Sequence, residues 1–588
     1  MRPLSQAFCV LALSGAQVIT PPPSPGRGVI AGTVVDGVSG RPIADAVVTL
    51  TGPGDVAPRV MASPEGSFVF TNVPGGRYQL TAEKFGYVRG SFGRTHPSAS
   101  PLSIDLAADE QFIDGSIALW KFASISGRVV DEYGEPLVGV AVEMLPTQSG
   151  PVVTTDDRGA YRLFTLRPGS YIVMVAARVT TVPIEAVRER SDVGLGGAAV
   201  SATALGDPWN VQVGDSALIS SNRSPIPLAP RADGRLLVYE TTFYPAARSR
   251  SQAQAVSVVA GEERTGVDIQ LRPVPASTVS GRLMGPDGPL ARTTVRLVRA
   301  DASGALEDFG YETASAQTDA NGGFTALGVP AGAYSIRVLA PQIAGTGTRP
   351  GAPPALWAND AITVGGADTT DLVVRARIAP RLTARVVVKG DRVLPPESFE
   401  LIVQAIDPGP FRVVNPRLDR EYRFSTQIAP GRYLIAAYPS TGSWCTSVSV
   451  AGVDFTGEPL TIAEADVPDL MIECGGEPTR LTGTVRNARG DIDTRATVVA
   501  FSVDIRHWAG AVSQPQRLVN ARVSASGTFA LANLPPGEYF VSTIPDETSP
   551  SWQDPAVLAA LSRSATRVTL KAGETRVVNL RSGTLRVQ

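Results

Sequence analysis

Five times along the chain a glycine stands two residues ahead of a tyrosine: Gly76/Tyr78, Gly169/Tyr171, Gly332/Tyr334, Gly431/Tyr433 and Gly537/Tyr539. A proline precedes each pair, at Pro74, Pro168, Pro330, Pro430 and Pro535-Pro536. A recurrence of this kind restricts the fold more than any bulk property, because every copy must be one repeating structural unit. Further upstream an aromatic lies ten residues before the tyrosine in four copies (Phe68, Tyr161, Phe324, Phe529). Each of these follows a glycine two positions earlier: Gly66, Gly159, Gly322, Gly527. The remaining copy, "DREYRFSTQIAPGRY", lacks that glycine and offers Tyr422 and Phe424 instead.

Each copy also opens alike, with "AGTVVD", "SGRVVD", "SGRLMG", "TARVVV" and "TGTVRN". Small and β-branched residues alternate there, as a half-buried strand requires. Turn signals such as "DEYGEP" follow, then a second strand such as "AVEMLP", a hairpin at "DRGAY" or "ANGGF", and a strand running into the Pro-Gly stretch. A final strand, as in "GVDIQLRP", closes the unit. The 58 glycines and 48 prolines suit many turns. Short strands punctuated this way, in units of roughly 100 residues, point to seven-stranded sandwiches. The expected fold is all-β: a tandem array of five immunoglobulin-like or transthyretin-like β-sandwich domains. Its boundaries are 28–121, 122–275 with an insertion at 178–239, 276–379, 380–476 and 477–588. Short joins such as "LRPVPAS" and "RIAPR" should limit bending between neighbours.

The Pro-Gly-x-Tyr stretch is expected to be a type II turn, in which proline fixes one φ and glycine accepts the positive φ that follows. Tyr78, Tyr171, Tyr334, Tyr433 and Tyr539 would then begin a core strand, each hydroxyl reaching a backbone group at the corner, with the logic of a tyrosine corner. The residue between glycine and tyrosine varies freely (Arg77, Ser170, Ala333, Arg432, Glu538), which suits scaffold more than ligand site.

These residues resemble the carboxypeptidase regulatory-like domain, a transthyretin-like sandwich. The resemblance is carried by "GVIAGTVVDGVSGRPIADAVVTL…SPEGSFVFTNVPGGRYQLTAEKFGY" and "SISGRVVDEYGEPLVGVAVEML…TTDDRGAYRLFTLRPGSYIVMVAA". The third and fifth copies match clearly and the fourth loosely. The resemblance implies a non-catalytic module of the carbohydrate-binding-like fold, often appended to peptidases, outer-membrane transporters or adhesins and strung in tandem in exported bacterial proteins. A related adhesin repeat locks itself with a lysine isopeptide bond. Lys84, Lys121, Lys389 and Lys571 are the only lysines, and none is expected on an opening strand except Lys389 just past the end of one, so no such bond is expected.

Chemistry-bearing residues are few. The two histidines, His96 and His507, lie far apart in sequence, and no His-x-x-Glu motif exists. No nucleophile–base pair, phosphate loop or carboxylate dyad can be argued, so no catalytic, cofactor-binding or metal residue is assigned and no enzyme is expected. A formal net charge of −2 argues against nucleic acid. Residues 1–16 read as a signal peptide and 17–27 as a proline-rich spacer, which places the chain in an exported compartment: periplasm, cell surface or medium. No later run is long enough to span a bilayer as a helix. In such a compartment Cys445 and Cys474 should form a disulfide stapling the divergent fourth copy.

Asp156, Asp157, Asp319 and Asn321 invite a calcium reading, but short acidic side chains also cap turns by bonding their own backbone, and that reading is preferred. Trp209, Trp357, Trp508 and Trp552 fall in long or irregular segments, where they could stack on sugar rings. The 178–239 insertion is the first place to look for a binding site. A short helix is expected within "VPIEAVRERSD", and another at "DPAVLAALSRSA" with Asp554 as N-cap and Pro555 in first position. The function expected is a monomeric, non-catalytic envelope protein acting as a structural or protein-binding scaffold, its partner an envelope protein. Polysaccharide binding is the alternative, and an accessory array of a hydrolase the distant one.

Overall fold

The computed structural model describes residues 28–582, except 54–56, 98, 100, 146–151, 186–192, 196–197, 201–209, 221–234, 301–311, 341–353, 391–393, 407–412, 440–444, 476–478, 509–516, 525, 546–551 and 554. The chain divides into two compact units. One comprises Met1–Lys84, Arg89–Gly93 and Pro101–Leu119; the other comprises Phe85–Val88, Arg94–Ser100 and Trp120–Gln588.

The first unit is a two-sheet sandwich. Its opening strand, Gly28–Asp36, pairs antiparallel with Ser67–Val73 and parallel with Ile117–Lys121. The facing sheet joins Val47–Thr51 to Arg59–Met61 and Gly76–Glu83. Ile30, Val34, Phe68, Phe70 and Ile117 from one sheet and Val48, Leu50, Tyr78 and Leu80 from the other are buried between them. They alternate along each strand because successive side chains point to opposite faces.

The second unit repeats this plan. Ala123–Val130 lies between Ala160–Leu166 and the parallel strands Glu263–Arg264 and Ile269–Gln270, facing a sheet built on Ala141–Leu145 and Gly169–Val175. Pro273–Gly285 lies between Gly323–Pro330 and the parallel Thr369–Arg375. Arg381–Lys389 lies between Arg423–Gln427 and the parallel Val467–Gly475, and Arg480–Arg486 between Thr528–Ala532 and the parallel Thr575–Val577. Separate buried clusters fill these sandwiches. The chain is thus an all-β array of sandwiches.

A close approach explains the glycine of the opening strands. A Cβ built at Gly32, Gly127, Gly281 or Gly483 would fall 1.8–2.3 Å from a backbone carbonyl oxygen (Gly115, Val267, Leu372 and Val578 respectively), all on the segment that leads into or forms the parallel closing strand. Only a bare backbone leaves room for that strand to pair. The fourth copy has Ala384 at this place.

Two expectations about turns need correction. The expected hairpins at "DRGAY" and "ANGGF" are closed locally, Asp156 N–H donating to the Ala160 carbonyl and Asp319 N–H to that of Gly323. The flanking strands then diverge: Val153–Thr154 pairs in one sheet and Ala160–Leu166 in the other. These turns therefore carry the chain between sheets. The Pro-Gly stretch carries it back, from Ser67–Val73 to Gly76–Glu83 and likewise in the other copies. It is not the expected type II turn in any copy: Gly76, Gly169 and Gly332 do not adopt positive φ, and Gly431 and Gly537, at 158° and 153°, are near-extended rather than at the roughly +80° such a turn needs. The left-handed residue lies six positions before the tyrosine instead: Asn72, Thr165, Gly328 and Asn533, with φ of 58°, 57°, 73° and 64°. In the first three copies it sits in a β-bulge, where the ladder slips by one residue. The bulge shows in the burial of Ser67–Val73, which alternates and then exposes Thr71 and Asn72 together. The fourth copy has no slip there and is one residue shorter between Phe424 and Tyr433.

The insertion is partly ordered into a neighbour. Val179–Pro183 runs parallel to Glu312–Gln317, and Ser216–Ser220 and Asn210–Val213 extend the same sheet outward. The insertion of the second copy thereby supplies three strands to a sheet of the third. Arg178, at the start of the insertion, donates to both oxygens of buried Glu143 at 2.9 Å.

Candidate functional site

All five tyrosines make the same contact. Their hydroxyls donate to the carbonyl four residues earlier: Tyr78 to Pro74 at 2.8 Å, Tyr171 to Arg167 at 2.6 Å, Tyr334 to Pro330 at 2.8 Å, Tyr433 to Ala429 at 2.7 Å and Tyr539 to Pro535 at 2.6 Å. Each ring is buried, and each lies close to the glycine two residues before it. The bond satisfies a carbonyl at the point where the chain leaves one sheet for the other, where no ladder partner is available. Burial raises the phenols of Tyr78 and Tyr171, and pushes that of Tyr539 up to about 12 against the opposing pull of Arg517.

The acidic turns are closed by their own backbone. Asp156 Oδ1 accepts from Arg158 and Ala160, Asp319 Oδ1 from Asn321 and Gly323, and Asp419 Oδ1 from Glu421 and Arg423. Ser63 and Ser524 serve the first and fifth copies. In the fourth copy Tyr422 holds the left-handed place of the absent glycine, at φ 59°, its hydroxyl donating to Leu394. Cys445 and Cys474 are bonded as a disulfide, opposite one another on adjacent antiparallel strands of the fourth sandwich.

Three of the four candidate tryptophans do not present stacking faces. Trp357, Trp508 and Trp552 are 8%, 8% and 5% exposed. Trp357 is wedged among Ala355, Ala379, Leu339 and Ala429, where the third and fourth sandwiches meet, with Arg377 over its ring. Trp508 and Trp552 fill a second core of the fifth sandwich with Phe501 and Ile544, roofed by Val557, Leu558 and Leu561 of the helix Pro555–Ser562. They read as sugar platforms because their sequence is irregular, but Trp357 lies in the strand Leu356–Val364 and the segments of Trp508 and Trp552 cover the outer face of a sheet. Trp209 lies outside the described residues, as do the leader, the spacer, Asp554 and most of the helix expected after Ile184.

The densest constellation of polar side chains lies between the fourth and fifth sandwiches. The turn after Val453–Asp454 brings Thr456 and Glu458 against the 3₁₀ turn Ile505–Trp508. Asp504 and His507, three residues apart, face the same way because side chains at that spacing eclipse in a 3₁₀ turn. His507 Nε2 lies 3.1 Å from Glu458 Oε1, and its Nδ1 lies 2.8 Å from Ser502 Oγ. Ligand atoms of Glu458, Asp504 and His507 all fall within 4.8 Å of one another. Arg506 donates to Asp504 and comes within 3.5 Å of Glu458. Arg517 donates to the Thr456 and Pro536 carbonyls, so it ties the fourth sandwich to the corner of the fifth. The Arg506 guanidinium holds the Asp504 carboxyl down at about 2. Burial, helped by Arg517, lowers the His507 imidazole below its ordinary value, while Glu458 and Asp504 pull the other way. Ser502, His507 and Glu458 form a hydroxyl–imidazole–carboxylate chain, a hydroxyl–base pair that the sequence did not reveal, with Ser502 3% exposed.

Residues 29–107 and 124–187 match the carboxypeptidase regulatory-like domain. The match falls on the first two copies of the repeat; the third and fifth, which carry the same pattern, lie outside it. No curated protein matches the chain. Among solved structures it is similar to the Bacillus anthracis TIE protein (13% identity, 73% of this chain and 69% of that one, TM-score 0.14). It is also similar to GBS52, the minor pilin of Streptococcus agalactiae (13% identity, 42% and 97%, TM-score 0.21), and to BcpA, the major pilin subunit of Bacillus cereus (9% identity, 60% and 100%, TM-score 0.15).

The regulatory-like pattern that led to the tyrosines gave no warning of the Glu458–Asp504–His507 group. Its members lie outside the repeated motif, and Glu458 is brought in from a neighbouring sandwich. The one usable signal was the scarcity of histidine, which makes the surroundings of each worth inspection.

Proposed function

We propose that this chain is an exported, non-catalytic scaffold of five β-sandwich domains (28–121, 122–275, 276–379, 380–476, 477–588) that binds another protein of the cell envelope and is itself a monomer. The observation that carries this reading is one buried structural unit used repeatedly, its tyrosine hydroxyl spent each time on a local carbonyl. Side chains that recur are thus committed to holding the corner, which is the economy of a spacer or platform. The built contacts between successive sandwiches of the second unit support the same reading. A borrowed set of strands joins the second and third, Gln427 bonds Ala355 and Ala379 across the third and fourth, and Arg517 spans the fourth and fifth. The disulfide supports an oxidising, exported setting.

The test is covalent crosslinking in intact source cells followed by purification of the full chain. The reading expects one envelope protein to be recovered in stoichiometric yield. Specific retention on a glycan array without any crosslinked protein would replace this reading with polysaccharide binding.

A further inference from the structure

We propose that Glu458, Asp504 and His507 form a binding site for one divalent transition-metal ion of the zinc class, held between the fourth and fifth sandwiches. One imidazole nitrogen and two carboxylates, with water completing the shell, are a donor set for Zn²⁺, Ni²⁺ or Cu²⁺, whereas calcium and magnesium take oxygen. The three ligand atoms lie within 4.8 Å of one another, so an ion with bonds of about 2.0–2.2 Å would draw the two carboxylates inward toward the imidazole.

Two independent features point to a cation here. The first is the Ser502 hydroxyl 2.8 Å from His507 Nδ1. An outer partner on one ring nitrogen holds the ring plane, and when that hydroxyl accepts from Nδ1–H the Nε2 lone pair is left for a metal. Ser502 Oγ is itself held by the Asp504 N–H at 3.1 Å, so the orienting group is not free to wander. The second is Arg506. Its guanidinium lies on the same two carboxylates and so occupies the place of a bound cation. That side chain is 70% exposed and can swing into solvent without opening the core. The pocket therefore exchanges one cation for another. The remaining nearby cation, Arg517, is turned away toward Thr456, Pro536 and Asp454. Because Glu458 comes from the fourth sandwich and the other two ligands from the fifth, the ion would fasten the pair together.

Equilibrium dialysis of the full chain against zinc chloride at pH 7.5 tests the proposal, with two histidines in the sequence to apportion. The expected result is one zinc per chain, abolished by His507→Ala and retained by His96→Ala. Glu458→Gln and Asp504→Asn should each weaken binding at least about tenfold, and Ser502→Ala about tenfold through the lost outer partner. Arg506→Ala should tighten it, since the competing cation is gone; that residue is exposed, so misfolding does not confuse the result. Absence of saturable zinc binding by the natural chain, binding unchanged by His507→Ala, or no tightening in Arg506→Ala would overturn the proposal.

Discussion

Single residues show most clearly where the repeat relies on backbone geometry. Thr165 holds φ at 57° in the bulge before the second corner, where the first copy places Asn72 and the third Gly328; Asn533 takes the same conformation in the fifth copy, whose ladder does not slip. A β-branched residue in the left-handed region is strained by roughly 1–2 kcal/mol, and asparagine or glycine by less. Thr165→Gly is therefore expected to stabilise the second sandwich by about 1 kcal/mol, read as an increased urea midpoint for that transition at unchanged slope. The tyrosines were legible because every copy keeps a glycine two residues ahead of the tyrosine and a proline three or four ahead. The bulge was not legible, because asparagine, threonine and glycine share little except tolerance, in differing degree, of one conformation. The misassigned positive φ at Gly76, Gly169 and Gly332 has the same root: the motif revealed a turn, and the strand before it had already supplied the unusual residue.

At the scale of elements, the opening strand and its parallel closing partner are the least forgiving contact. A methyl at Gly127 would lie 1.9 Å from the Val267 carbonyl oxygen, and neither backbone can yield without breaking the ladder. Gly127→Ala should cost several kcal/mol, in the range of overpacked cores. The expected readout is rapid hydrogen exchange at Ala123–Val130 and Ile269–Gln270 with the fifth sandwich unaltered. The parallel pairing itself could not be read from sequence, since strand periodicity marks faces and not neighbours. The disulfide acts on the opposite side of the ledger, through the unfolded chain. Its loop separation of 29 residues implies that Cys445→Ser with Cys474→Ser lowers the stability of the fourth sandwich by about 3.5 kcal/mol on the chain-entropy model. Calorimetry of the double variant should show that loss in one transition. The cysteine pair was legible because no other pair remained; the tryptophans misled, because local irregularity says nothing of what a segment covers.

Across the whole molecule, neighbouring sandwiches of the second unit are joined by polar pairs that the repeat pattern does not contain. The junction of fourth and fifth should respond to pH. Burial lowers the His507 pKa from its ordinary 6.5, so the folded junction prefers the neutral ring. The sign follows: the unfolded chain binds the proton more readily, so this contribution is present above pH 6.5 and is lost as pH falls through the depressed folded value. Exchange at Ile505–Trp508 should accordingly quicken on moving from pH 7.5 to mildly acidic buffer after correction for intrinsic rates, and His507→Gln should blunt that change.

The claim that everything else depends on is that each buried tyrosine braces its own sandwich. Tyr539 is fully buried, and its hydroxyl lies 2.6 Å from the Pro535 carbonyl oxygen. Tyr539→Phe removes one donor and leaves that carbonyl unpaired, at a cost of about 1–3 kcal/mol. Hydrogen-exchange mass spectrometry of the full chain carrying this substitution is expected to show faster exchange confined to residues 480–582. Unchanged exchange in that segment, or acceleration spread evenly along the chain, would contradict the account.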